Sequence, residues 1–410
     1  MNKFLPVLVA GIALLGTACS TNKANNTNHV SGDSTYPPVE TKAPNTSYKP
    51  AFPGQTRIAG VKTTGTFDAK VLTDKLTRPW GIACLPDGRF LITEKGGDMR
   101  IAGIDGSLSE PIKGQPAVNS AGQGGLLGIT LDPAFPDNRM IYWTFSQNSA
   151  EGNLTAVAKG RLSDDEKQID NASVIFRATP AYNGTLHYGS RILFDKQGNL
   201  IFSTGERSDL QTRPQAQQLN SDLGKVIRIT TDGKPAAGNP FLNNTAARPE
   251  LYSYGHRNVQ GLAFNPETGD LWENEFGPRG GDELNIIKPG NNYGWPTITY
   301  SLEYSGEKVG EGITQKEGME QPVYYWDPVI SPSGMTFYTG DAMPEWKNNL
   351  FISSLSGKHI IRLVINNNKV VGEERLLADE NQRFRDITQG KDGALYAITD
   401  EGRLYQVAKK

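Results

Sequence analysis

The sequence predicts an all-β protein, a six-bladed β-propeller with four antiparallel strands per blade, and three observations carry that prediction. One apolar hairpin pattern recurs six times along the chain. Glycine at 45 and proline at 25 of 410 residues are abundant. No long stretch repeats apolar residues at helical spacing, which favours short strands joined by turns.

The recurring unit is an apolar run, a turn built on Asp, Asn, Pro or Gly, and a second apolar run. It spans residues 79–88 into 90–94, 125–133 into 140–144, 189–195 into 200–206, 259–266 into 271–275, 333–338 into 350–354, and 385–390 into 394–400. The spacing of about 50 to 75 residues leaves each hairpin room for two further strands and loops of variable length. Stacked sandwiches also contain hairpins, but hairpins repeating one register with apolar residues on both faces suit blades wedged between two neighbours. The chain is longer than one compact core usually holds, yet propellers reach this size as one domain, here residues 54–410.

Ahead of that domain, Lys3 precedes an apolar run from Phe4 to Leu15 that is too short to span a bilayer and ends in small residues, the pattern of a secretory signal over residues 1–19. The run closes on Leu14-Leu15-Gly16-Thr17-Ala18-Cys19, which is similar to a lipobox, with Gly16 where an aliphatic residue is usual. The expectation is export to the periplasmic side of the outer membrane with a lipid anchor on Cys19, or, after an ordinary cut, a soluble periplasmic protein. Cys84 is the only other thiol, so a lipidated Cys19 leaves no intrachain disulfide. Residues 20–53, rich in Ser, Thr, Asn, Lys and Pro, are expected to form a disordered tether because they bury too little apolar surface. The formal net charge of −2 provides no basic field for nucleic acid.

Radial symmetry brings the residues that lead into each first strand to one mouth of the central channel. Read as a set, they are Pro79-Trp80, Gly122-Gln123, Leu186-His187, Arg257-Asn258, Ser331-Pro332 and Arg383-Phe384-Arg385. A base, three arginines and two amides thus converge in register. Arg383 and Arg385 are two apart and share one side of a strand, where paired guanidiniums suit a polycarboxylate or phosphate. Glu206 ends the second run of the His187 repeat, where a carboxylate holds an imidazole in one tautomer. The loop from Glu275 to Glu283 combines acids and glycines, a chemistry that calcium coordinates.

Other signatures are missing. Residues 122–128 miss the dinucleotide fingerprint, and no Gly-x-Ser-x-Gly elbow, His-Glu-x-x-His pair or EF-hand loop occurs. Of four histidines, His29 lies in the tether and His359 has no evident partner.

Five motifs together resemble the soluble aldose sugar dehydrogenases that use pyrroloquinoline quinone (PQQ), in the glucose/sorbosone dehydrogenase superfamily. They are Gly122-Gln-Gly-Gly-Leu-Leu-Gly128, Tyr254-Gly-His-Arg-Asn-Val-Gln-Gly261, Gly277-Pro-Arg-Gly-Gly-Asp-Glu-Leu-Asn285, Asn292-Tyr-Gly-Trp-Pro296 and Arg383-Phe-Arg-Asp386. The resemblance implies an enzyme that oxidises the anomeric carbon of an aldose to a lactone and passes electrons to an artificial or membrane acceptor. It makes His187 the general base, Glu206 its orienting partner, and Arg257 the group beside the developing alkoxide. It places Gln123, Gln211, Asn258, Tyr324, Arg383 and Arg385 around cofactor or sugar, calcium on the carbonyls of Gly277 and Pro278, and a further calcium at Glu283 and the backbone of Tyr293.

Three residues depart from the family pattern. Leu186 stands where an acid or amide usually contacts the sugar, Phe276 where Gln or His precedes Gly-Pro, and Ser356 where a cofactor-binding lysine is common. Lys358, two residues on, reaches the same face if the strand continues. Two competing readings remain: a calcium-dependent propeller lactonase, and a non-catalytic carbohydrate- or protein-binding propeller.

Overall fold

Each of the six hairpins folds as the two innermost strands of a separate antiparallel sheet. The computed structural model describes residues 1, 3 and 36–410. Apart from Met1 and Lys3, the expected leader, Cys19 and the tether up to residue 35 lie outside the described residues.

The first blade comprises Pro79–Cys84, Phe90–Glu94 and Met99–Ala102. The second comprises Leu126–Leu131, Met140–Ser149, Gly152–Leu162 and Ile169–Arg177, and the third Ile192–Phe194, Leu200–Ser203, Lys225–Ile229 and Leu251–Tyr254. The fourth is built from Val259–Phe264, Leu271–Glu275, Asp282–Ile287 and Tyr324–Trp326, and the fifth from Pro332–Phe337, Leu350–Ser354, Ile360–Asn366 and Lys369–Leu376. In the sixth, Phe384–Gln389, Leu395–Thr399 and Leu404–Lys409 are completed by Phe67–Thr73, which pairs from Phe67 with Lys409 to Thr73 with Leu404. Strands from opposite ends of the domain thus close the ring and remove two free edges.

The expected four strands hold for five blades. Among the described residues the first has three, and its outer edge is met by single bridges from Leu108 to Ala102 and from Ile112 to Met99. The segment after Ala102 carries Gly106 and Pro111, which interrupt a continuous ladder.

Burial explains the apolar residues on both strand faces. Six hydrophobic clusters each join two consecutive blades, including Met99 and Ile101 against Trp143, and Phe90 and Ile92 against Tyr396 and Ile398. Each fully buried large side chain contributes roughly 1.5–3 kcal/mol.

The tether is shorter than its composition indicates. Residues 36–53 lie on the propeller: Tyr36 bridges Gly60, and the N–H groups of Asn45 and Thr46 donate to the Asp327 carboxylate at 2.7 and 3.0 Å. Gln55 is buried and donates to the Pro322 carbonyl at 2.9 Å. Polar groups that find partners on an existing surface help to order this segment despite its low apolar content.

Candidate active site

In or just beyond the last part of its second strand, each blade places a side-chain oxygen that bonds the segment leading into its first strand. Glu94 accepts from the Thr77 N–H at 2.6 Å, Ser146 from that of Gly125 at 2.8 Å, and Glu275 from those of Arg257 at 2.5 Å and Asn258 at 3.2 Å. Ser354 donates to the Ile330 carbonyl at 2.7 Å. In two blades the partner is instead a side chain. Glu206 meets His187, and Asp400 meets both Arg383 and Arg385.

These lead-in segments surround a cavity of about 430 Å³ at the channel mouth. The third blade contributes His187, whose backbone lies in the left-handed region at φ 47°. Its N–H donates to Gln123 Oε1 at 2.8 Å, and its Nδ1 lies 2.5 Å from Glu206 Oε1. Glu206 Oε1 also accepts from the Ser208 N–H at 2.9 Å. An ionised carboxylate only accepts, so the Nδ1 proton is fixed and the Nε2 lone pair is left for the cavity. Burial, then the charge of Arg257, push His187 down to about 4 despite the opposing pull of Glu206.

Arg257 is buried beside the cavity, donating to the Phe276 carbonyl at 3.1 Å and to the Tyr304 hydroxyl at 3.4 Å, with its guanidinium 5.2 Å from the Trp295 ring centroid. Among the described residues, its Nε and Asn258 Nδ2 are buried without partners. Across the cavity, Arg383 donates to Asp400 at 3.0 Å, and Arg385 does so twice, at 2.8 and 3.1 Å. Although burial opposes it, the two arginines hold the Asp400 carboxyl below its ordinary value. Lys95 adds an amine to the same wall, donating to the Gly122 carbonyl at 2.8 Å. Burial, then Arg78 and Arg385, push that amine down to about 8. Three cations against one carboxylate leave the wall net positive, which suits an anionic ligand.

Gly277 and Pro278 also line the cavity, and among the described residues their carbonyl oxygens accept no hydrogen bond. The turn that presents them is pinned by buried Asp282, which accepts from Gly277 N–H at 2.8 Å and from Ile330 and Ser331 N–H at 2.7 Å each. Burial pushes Asp282 up to about 7. A Cβ at Gly277 would run into the Gly280 carbonyl and Ser301 Oγ, so only glycine fits. Free carbonyl oxygens are donors that calcium accepts.

The structure therefore gathers His187, Glu206, Arg257, Asn258, Gln123, Arg383, Arg385, Gly277 and Pro278 in and around one cavity. Gln211 does not join them; it is exposed in a turn where its N–H donates to Asp209. Tyr324 lies on the outer strand of the fourth blade, donating to Glu373 at 2.8 Å. Lys358 misses because its strand ends at Ser354; the chain turns through φ 58° at Lys358, whose amine donates to Asn381. Ser356 remains in the wall, 2.8 Å from Ser331 Oγ. Glu283 and Tyr293 belong to a second buried group, in which Asn285 Nδ2 reaches Glu273 at 2.8 Å and Glu283 at 3.4 Å, and Tyr293 stacks on His256.

Lys95, Asp400 and Tyr304 line the cavity without having been singled out from the sequence. Asp400 carried a usable signal, because it follows the second strand of the sixth blade as Glu206 follows that of the third. Tyr304 sits between two strands of the fourth blade, on a long connection whose course no local pattern specifies.

The chain is 43% identical over 350 residues to the Escherichia coli K12 aldose sugar dehydrogenase YliI, covering 84% of this chain and 94% of that one. A crystal structure of the soluble aldose sugar dehydrogenase from Escherichia coli in the apo form superposes with a TM-score of 0.81 at 42% identity, covering 84% of this chain and 100% of the other. The PQQ-bound aldose sugar dehydrogenase from Streptomyces coelicolor superposes with a TM-score of 0.69 at 30% identity, covering 85% and 100%. The Glucose / Sorbosone dehydrogenase family model matches residues 76–406, nearly the whole propeller, and the chain belongs to that family.

Proposed function

We propose that this protein is a quinoprotein aldose dehydrogenase, which oxidises the anomeric carbon of a sugar to the lactone with His187 as general base. The observation that carries this reading is the buried His187–Glu206 pair opening onto a cavity whose opposite wall is cationic. His187 Nε2 takes the proton of the anomeric hydroxyl, while Glu206 holds the ring and stabilises the imidazolium that forms. Arg257 steadies the oxygen as negative charge develops on it.

The donor set fits PQQ and calcium. Arg383, Arg385 and Lys95 pair with carboxylates, Phe276 offers an aromatic face, and the unpartnered Asn258 Nδ2 and Arg257 Nε are donors awaiting acceptors. Bound PQQ supplies the hydride acceptor, and calcium on the carbonyls of Gly277 and Pro278 supplies a Lewis acid. Leu186, 40% exposed and next to His187 in the chain, would give the sugar an apolar neighbour.

Export, with acylation of Cys19 and electron delivery to a membrane acceptor, completes the proposal. Apoprotein supplied with PQQ and calcium is expected to show cofactor absorbance and aldose-dependent dye reduction. Lactone hydrolysis with calcium alone, without dye reduction, would instead identify a lactonase.

A further inference from the structure

Behind the cavity wall, the fourth blade buries a cluster the proposed reaction does not use. Glu273 and Glu275 alternate on Leu271–Glu275 and so share one face. Across the ladder Glu275 opposes Glu283, and Glu273 opposes Asn285. His256, in the turn before Val259, completes the group. His256 and Glu273 are 0% exposed and Glu275 3%.

Two carboxylates thus face one imidazole, and a third, Glu283, lies across the ladder from Glu275. Among the described residues no Lys or Arg side chain pairs with any of them; Arg257 reaches Glu275 only through its backbone N–H. Like charges directly opposed on a ladder repel, and burial strengthens the repulsion. Glu273 Oε2 is sealed from solvent, without a hydrogen-bond partner among the described residues.

We infer that His256, Glu273 and Glu275 form a buried site for a divalent transition metal, with zinc the best match to the ligand set. The ligand atoms all lie within 4.8 Å of one another. His256 Nδ1 is 3.1 Å from Glu275 Oε1 and 3.7 Å from Glu273 Oε1. Those values bracket the roughly 3.4 Å edge of a tetrahedron with bonds near 2.1 Å. An imidazole nitrogen among the donors selects zinc, cobalt or manganese over calcium, which prefers an all-oxygen shell.

The surroundings prepare the imidazole for this role. Its Nε2 lies 2.8 Å from Ser253 Oγ, so an Nε2–H donated there leaves the Nδ1 lone pair for the metal. The ring is stacked on Tyr293 at 4.8 Å between centroids and 18° between planes. Glu275 Oε2 holds the Arg257 and Asn258 peptides, so a metal on Oε1 also braces the turn that carries the active-site arginine.

The test uses purified full-chain protein, stripped with chelator and titrated with zinc and, separately, cobalt. One zinc per chain is expected to resist dialysis and raise the unfolding temperature, and cobalt is expected to give visible d–d bands. Glu273→Gln, and independently His256→Gln, should weaken zinc binding at least about 100-fold while circular dichroism stays that of the folded propeller. The inference is overturned if neither metal binds, or if folded Glu273→Gln binds zinc as tightly as the parent. It stands apart from the cavity reading, because metal content and cobalt spectra are measured without sugar or quinone.

Discussion

Arg191 of the third blade and Asp386 of the sixth form a buried ion pair, with Nη1 2.5 Å from Oδ2. They occupy one structural position. The residues preceding the first-strand aliphatics Ile82, Ile129, Ile192, Leu262, Met335 and Ile387 are Gly81, Gly128, Arg191, Gly261, Gly334 and Asp386. At the four glycines a Cβ would strike an adjacent backbone or side chain, the Leu127 carbonyl at Gly81 and the Asp386 carboxylate at Gly334 among them. The absent side chain at Gly334 therefore makes room for the Asp386 carboxylate, while Gly81, Gly128 and Gly261 let the backbone of the adjacent blade approach. Arg191 also donates to the Gln260 carbonyl at 2.9 Å and lies 4.5 Å from the Trp80 ring centroid, while Asp386 accepts from Ile82 N–H at 3.1 Å. The pair thereby ties four blades together.

Asp386→Ala is expected to destabilise the propeller by about 3–5 kcal/mol, because it strands a buried guanidinium. The simultaneous change Arg191→Met with Asp386→Leu removes both charges and should cost clearly less. Denaturant midpoints of the parent, single and double variants check this. Equal losses in both variants would mean that packing rather than charge sets the effect.

His187→Ala should lower turnover by about 10²–10⁴-fold, the range for a general base. Cofactor absorbance and melting temperature should change little, since the cationic wall on the sixth blade is untouched. A variant that lost quinone binding together with turnover would show His187 to be part of the binding site rather than the base.

Arg385 makes two bonds to Asp400 and closes the cationic side of the cavity. Arg385→Ala should weaken PQQ binding by about 10- to 100-fold, since a charged hydrogen bond contributes about 1.5–3 kcal/mol. Titrations monitored by cofactor absorbance should weaken further with added salt in the parent than in this variant. Identical salt slopes would remove Arg385 from the cofactor contact.

Fold and site were legible to different extents for physical reasons. The inner hairpins show in the sequence because strands buried on both faces carry apolar runs, as in Phe90–Glu94 and Leu200–Ser203. Outer strands such as Ile169–Arg177 are half exposed and give weaker patterns. His187, Arg257, Arg383 and Arg385 were found because ring symmetry converts a shared register into shared space. Tyr324, Lys358 and Gln211 lie outside that register, on an outer strand, a left-handed turn and an exposed loop, where matching motifs does not fix direction. Lys95 escaped because it follows Glu94 in a hairpin that reads as core.

The environment of His187 also sets the pH dependence. Burial and Arg257 disfavour the imidazolium more than Glu206 favours it, so the ring stays neutral down to about 4 instead of the ordinary 6.5. A base must be neutral to accept a proton, so the acid limb of kcat/KM should fall near pH 4, with activity retained at pH 5 to 6. The partners shift that limb in opposite directions. Arg257→Met removes a cation that opposes protonation and should move the limb upward, towards 6.5. Glu206→Gln removes the carboxylate that favours protonation, so it should move the limb lower still, while turnover drops by about 100-fold as the tautomer is freed. Profiles of kcat/KM for the parent and both variants, each loaded with cofactor, test the signs together. A limb that stayed fixed in both variants would assign the titration to a group other than His187.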